Sequence, residues 1–127
     1  MSKINHQKTA LVAYNEAVSA AEQAIKAKHL NKDGNDRAKM LLDLAEFHIL
    51  VNTAWKAETE YLEALDYYLR SDDSSSLDYQ IYIYKALSGI HTCMGRKQES
   101  KKENRKAEKL EERLMASNRS VAMEKDQ

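Results

Sequence analysis

Apolar residues along this chain recur at spacings of three and four rather than two. Ala54, Ala57, Tyr61, Ala64, Leu65 and Tyr68 form one such run, and Leu77, Ile81, Tyr84, Leu87, His91 and Met94 form another. Stripes of that period cover one face of a helix and bury it against a neighbour. "YQIYIY" (79–84) is the one stretch with strand character, but it lies within "LDYQIYIYKALSGIHTCMG", which keeps the helical spacing, and it is read as helix. Polar punctuation falls at "NKDGND" (31–36), "SDDSSS" (71–76) and "MGRK" (94–97), with a weaker corner at Asn52 and Thr53. These breaks predict five helices, over 4–30, 36–51, 54–70, 76–94 and 97–117. Their short connections predict antiparallel neighbours. Ser75 with Asp78 resembles a capping box at the start of the fourth helix. Residues 1–117 read as one domain, and 118–127 as a frayed tail.

Composition strengthens the helical reading. The 127 residues include no proline, three glycines and 43% hydrophobic side chains, many of them alanine, as an all-α protein requires. Twenty basic and twenty acidic side chains cancel, so nothing draws the whole chain to nucleic acid or to a membrane surface. The charge is nevertheless uneven. Residues 41–79 carry nine acids against Lys56 and Arg70, whereas 95–127 carry ten bases against seven acids. A single cysteine cannot close an internal disulfide, and no apolar run approaches the roughly 20 residues needed to span a bilayer. "MSKINHQKTALVAYNEA" has no uninterrupted apolar run of the secretory type. The expected location is cytoplasmic.

Segments of the chain echo one another. Leu41, Leu44, Ala45, His48 and Asn52 have the spacing of Tyr84, Leu87, Ser88, His91 and Gly95. Downstream, Ala57, Tyr61 and Ala64 match Ser100, Asn104 and Ala107, and upstream Ala17, Ala21 and Ala24 show the same spacing. The last alanines of these triplets, 24, 64 and 107, stand 40 and 43 residues apart. A self-similar helical pattern of that length is the mark of a repeat architecture.

The pattern resembles the tetratricopeptide repeat, over roughly residues 38–115. That family pairs helices A and B, alternating bulky and small residues so that the helices approach closely. Tyr84, Leu87, Ser88 and His91 fit helix A, as do Leu41, Leu44, Ala45 and His48; Gly95 and, less well, Asn52 fit the turn; Ala57, Tyr61 and Ala64 fit helix B. The first helix reads as an unpaired helix B. Departures are a repeat longer than about 34 residues, the absence of the closing proline, and Asn104 where a bulky residue is usual. The resemblance implies a short superhelix with a concave groove lined by A helices. Carried onto this sequence, the groove residues are Lys39, Leu42, Asp43, Glu46, Ile49, Tyr82, Lys85, Ala86, Gly89 and Thr92. Lys85 lacks the matching asparagines of the family's carboxylate clamp, so that specialised role is not carried over.

Catalytic and metal signatures are sparse. His91 and Cys93, two apart on a helix, point about 200° from each other and cannot share a cation. No second cysteine exists for a structural zinc site. His48 and His91, at equivalent positions, are read as imidazoles filling helix seams rather than as metal ligands. No G-x-x-x-x-G-K, H-E-x-x-H or G-x-S-x-G is present, so no enzyme activity, catalytic residue, cofactor or metal is expected. The last helix, "RKQESKKENRKAEKLEERL", interleaves acids with its bases, so nucleic acid is not the expected partner. Tyr61, Tyr68 and Tyr84 are assigned to the core; Tyr67, Tyr79 and Tyr82 are left for contact roles. The reading is a non-catalytic adaptor or regulator that binds a peptide or helix of another protein in the groove. The alternatives are a self-associating scaffold using the long first helix and, behind that, a nucleic-acid or small-ligand module.

Overall fold

The computed structural model describes residues 3–30 and 33–125. Part of the predicted turn at 31–36, the first two residues of the domain and the last two of the tail lie outside the described residues. Five helices follow in order: α1 (Lys3–Lys28), α2 (Gly34–Leu50), α3 (Ala54–Arg70), α4 (Ser76–Cys93) and α5 (Lys97–Lys125). The fold is all-α, and no strand occurs among the described residues. No helix is long and apolar enough to cross a membrane among those residues.

Side-chain bonds fix the directions of the helices. Tyr14 reaches Val51 and His29 reaches Asp43, so α1 runs antiparallel to α2. Arg37 meets Glu63 and His48 meets Glu60, so α2 runs against α3. Gln80 contacts Tyr68 and His91 contacts Glu58, so α4 runs against α3. Lys85 meets Glu111 and His91 meets Glu103, so α5 runs against α4. The hydroxyl of Tyr82 on α4 donates to Glu46 on α2, which places these two helices side by side along one face of α3.

Small residues allow this closeness. Ala45, Ala57 and Ala64 are completely buried, and the volume between them is filled by Tyr61, Tyr68, Ile83 and Leu87. Burying each of those large side chains is worth about 1.5–3 kcal/mol before conformational entropy is charged against it. Tyr79 stacks on Tyr68 at 4.5 Å between ring centroids, and Tyr67 meets Tyr68 edge-on at 5.2 Å. Tyr67 and Tyr79, assigned to contact roles from sequence, are therefore half-buried against the core. Tyr61, Tyr68 and Tyr84 are buried as expected.

The turns after α2 and α4 are built alike. Asn52 and Gly95 adopt positive φ, 64° and 79°. Each is followed by a residue whose N–H returns to the last turn, Thr53 to His48 and Arg96 to His91, both at 2.7 Å. Bonds from Asn52 to Ile49 and from Gly95 to Thr92 complete a Schellman closure at both corners.

The ends of other helices differ from the sequence reading. Ser75 precedes α4 without any side-chain cap, so the proposed capping box is not formed. Instead Asp73 accepts from the Ser75 N–H, and Ser76 and Gln80 both donate to the Tyr68 carbonyl that ends α3. Asp33 caps α2 by accepting from the Asp36 N–H. Downstream, α5 continues through 118–125, where a frayed tail was expected. Neither glycine nor proline follows Gly95, so nothing in the backbone chemistry stops that helix.

Candidate functional site

Between α2 and α4 lies a groove of about 520 Å³, lined by His29, Lys39, Leu42, Asp43, Glu46, Asp78, Tyr79 and Tyr82. The helical period explains the wall: 39, 42, 43 and 46 share one face of α2, and 78, 79 and 82 share one face of α4. Leu42 is buried at its floor, and Tyr82, 39% exposed, stands at its edge with the ring edge-on to Tyr61. The Tyr82 hydroxyl stays protonated well above its ordinary range, because its partial burial disfavours the phenolate and it donates to the Glu46 carboxylate.

Five of the ten residues carried over from the resemblance meet here: Lys39, Leu42, Asp43, Glu46 and Tyr82. The other five do not. Ile49 is 43% exposed in the last turn of α2. Lys85 turns to α5 and pairs with Glu111 at 2.7 Å. Ala86 packs against the core, and Gly89 faces open space. Thr92 hydrogen-bonds the Ser88 carbonyl and the Ser100 hydroxyl.

His29, which the sequence reading did not single out, closes one end of the groove. Its Nδ1 lies 2.9 Å from Asp36 and its Nε2 2.8 Å from Asp43. Bonds to Asp36 and then to Asp43 hold its imidazole protonated above the ordinary value of 6.5. The groove rim thus combines three carboxylates, from Asp43, Glu46 and Asp78, with one lysine and the His29 imidazole. A second, shallower depression continues from it between α1 and α2, sharing Asp43 and Glu46 and adding Ile25, Phe47 and Leu50.

Away from the groove, the two buried histidines occupy the seams assigned to them. His48 sits between Glu60 on α3, 2.5 Å from Nδ1, and Glu22 on α1, 2.8 Å from Nε2. His91 sits between Glu103 on α5, 2.6 Å from Nδ1, and Glu58 on α3, 3.0 Å from Nε2. Each imidazole therefore ties three helices together through two carboxylates. Glu60 and Glu103 each follow their histidine by 12 positions, a relation open to inspection in the sequence. Glu22 and Glu58 come from helices packed on the other side, and no local spacing announces them. Burial lowers the pKa of His91, but its bonds to Glu103 and Glu58 outweigh that and raise it overall. Burial raises the Glu60 carboxyl, against the opposing bond from His48. Cys93 is exposed at the end of α4.

No family of known proteins, no curated protein and no solved structure matches this chain.

Proposed function

We propose that the protein is a non-catalytic interaction module that seats a short segment of a partner protein, a peptide or one face of a helix, in the groove between α2 and α4. The observation that carries this reading is the convergence of Lys39, Leu42, Asp43, Glu46 and Tyr82 on one concave surface. In this reading α2–α3 and α4–α5 are the helix pairs of a short tetratricopeptide-like stack. The matching turns at Asn52 and Gly95, and the matching His–Glu pairs 48–60 and 91–103, support it.

Charge selects the occupant. Asp43, Glu46 and Asp78 outnumber Lys39 and the His29 imidazole on the rim, while Leu42 and Tyr79 offer apolar wall. A partner segment that sets a lysine or arginine beside an apolar side chain satisfies both. Selection from a displayed peptide library tests this directly. Enriched peptides carrying that pair, shifting the amides of residues 39–46 and 78–82 and losing binding to Glu46→Lys with Asp78→Lys, would support the groove. Enrichment of acidic peptides, or shifts confined to α1 or α5, would overturn it. Circular dichroism of the double variant establishes that it remains helical.

One observation favours a second reading. Leu11, Val12 and Tyr14 on α1 are 60%, 54% and 52% exposed, clustered within one turn. A second copy of the chain laid along α1 would cover them, making the protein a self-associating scaffold. Sedimentation velocity over a wide concentration range decides it: a monomer throughout removes this reading. An oligomer that Leu11→Glu dissociates would put it first.

A further inference from the structure

Among the described residues α1 packs along α2 alone, and none of its side chains joins the buried core. Val18, Ala21 and Ile25 are half-buried on its inner face, so little apolar area holds it in place. Its polar ties gather on two imidazoles. His29, just past the end of α1, lies between Asp36 and Asp43 of α2 at 2.9 and 2.8 Å. His48 of α2 lies between Glu22 of α1 and Glu60 of α3 at 2.8 and 2.5 Å.

Both nodes need one proton more than a neutral ring and two carboxylates supply. A neutral imidazole has one N–H and one bare lone pair, so it donates to only one of its two carboxylates. At His29 the other carboxylate would face that lone pair. Asp36 has no alternative, because its Oδ2 is buried without a partner among the described residues. At His48 the extra proton has two seats, the imidazole or the Glu60 carboxyl, which burial raises. Once it leaves, Glu22 is the carboxylate that can escape to water, by leaving with α1. Other charges surround the nodes. Across the groove from His29 stand Lys39 and Glu46 of α2 and Asp78 of α4, Lys28 lines the adjoining depression, and Glu63 of α3 acts on Glu60.

We propose that α1 is a pH-released cover, held on α2 while both nodes keep their extra proton and coming away as those protons are lost with rising pH. Release returns Glu22 to water, frees Asp43 from His29, and uncovers Phe47, which lines the α1–α2 depression opposite Ile25. The sign follows from linkage: proton loss weakens docking at high pH, and protonation of Asp36, Asp43 and Glu22 weakens it below the carboxylate range. Bonds to Asp36 and then to Asp43 keep the His29 ring protonated above 6.5, so its share of the release falls above that value. Release depends on the α1–α2 contacts alone, not on what the groove binds.

The test is amide hydrogen exchange of the full chain, read by mass spectrometry from about pH 5.5 to about pH 8.5 and corrected for the intrinsic rate. Amides of α1 over 18–28 should lose about tenfold or more in protection across that range, as one displaced proton per pH unit requires. Those of α3 and α4 should keep theirs. His29→Gln should open α1 already at the acid end and leave a shallower pH profile. Adding Glu22→Gln, on a side chain 25% exposed, should flatten the profile further, and circular dichroism verifies that α2–α5 remain helical. Protection of α1 that does not change with pH would overturn the proposal. So would loss in α1 and α3 together, which is global unfolding, or a wild-type pH profile in both variants.

Discussion

Asn52 and Gly95 hold the same left-handed backbone conformation, φ 64° and 79°, at the ends of α2 and α4. The two corners share their hydrogen bonds, yet one uses a residue with a Cβ and the other does not. A left-handed L-residue costs about 1–2 kcal/mol, which glycine avoids and asparagine partly offsets. Gly95→Ala should therefore destabilise the protein by about 1–2 kcal/mol, although nothing lies within 4 Å of the added Cβ. Asn52→Gly should cause no loss. Urea unfolding of both variants checks the pair, and equal losses would contradict the argument.

Gly89 presents the opposite case. It sits inside α4 in ordinary helical conformation, and a Cβ there would meet nothing within 4 Å. Glycine in a helix interior costs about 0.5–1 kcal/mol relative to alanine. Gly89→Ala should raise stability by that amount, measured as an increased midpoint of denaturation at unchanged m-value.

Tyr68 is 2% exposed and its hydroxyl has no hydrogen-bond partner among the described residues. Burial, with a smaller contribution from neighbouring tyrosines, raises its pKa far above the usual phenol range, so it stays neutral and unpaired. A buried orphan hydroxyl costs about 1–3 kcal/mol in desolvation. Tyr68→Phe keeps the stacking on Tyr79 and removes that cost, so it should be neutral or stabilising. A loss above about 1 kcal/mol would reveal a partner for the hydroxyl.

What the sequence disclosed and what it concealed divide along a physical line. Helix periodicity is a local property, and α3 was readable to the residue because Ala57, Tyr61, Ala64, Leu65 and Tyr68 all face inward. The turns were readable because glycine and asparagine tolerate positive φ. Side-chain partners across helices were not, since they depend on how far each helix slides along its neighbour. Lys85 lies on the same stripe as Tyr82, but its long side chain crosses to Glu111 on α5. His29 fell outside every helical stripe and acquired its role only when α1 docked beside Asp36 and Asp43. Ser75 with Asp78 had the right spacing for a cap, but the Asp73 side chain reached the Ser75 N–H from the preceding turn.

His29 gives the fold a pH dependence of definite sign. Its pKa is raised above 6.5 in the folded state, first by Asp36 and then by Asp43. A raised histidine pKa stabilises most below the unfolded value, and that contribution is lost as pH rises through the folded value. Below the carboxylate range Asp36 and Asp43 themselves protonate, so the contribution applies above that. The stability lost on His29→Gln should thus be larger at about pH 5.5 than at about pH 8.5. NMR titration of the ring should report a midpoint above 6.5. A loss independent of pH would mean that the ring acts only through packing.

The His48–Glu60 pair makes a test of coupling rather than of either residue alone. The imidazole is buried, and its two carboxylates, on Glu60 and Glu22, are 15% and 25% exposed. Replacing His48 by leucine fills much of the same volume but leaves Glu60 facing an apolar group, with its carboxyl already raised by burial. An orphaned, largely buried acceptor of this kind costs about 1–3 kcal/mol. His48→Leu should lose stability in that range. Adding Glu60→Leu removes the more buried of the two carboxylates that lose His48, so the double variant should recover part of the loss instead of compounding it. A double-mutant cycle should then give a coupling energy of about 1 kcal/mol or more. Additive losses would mean that the short contact between Nδ1 and Glu60 contributes nothing to the folded state.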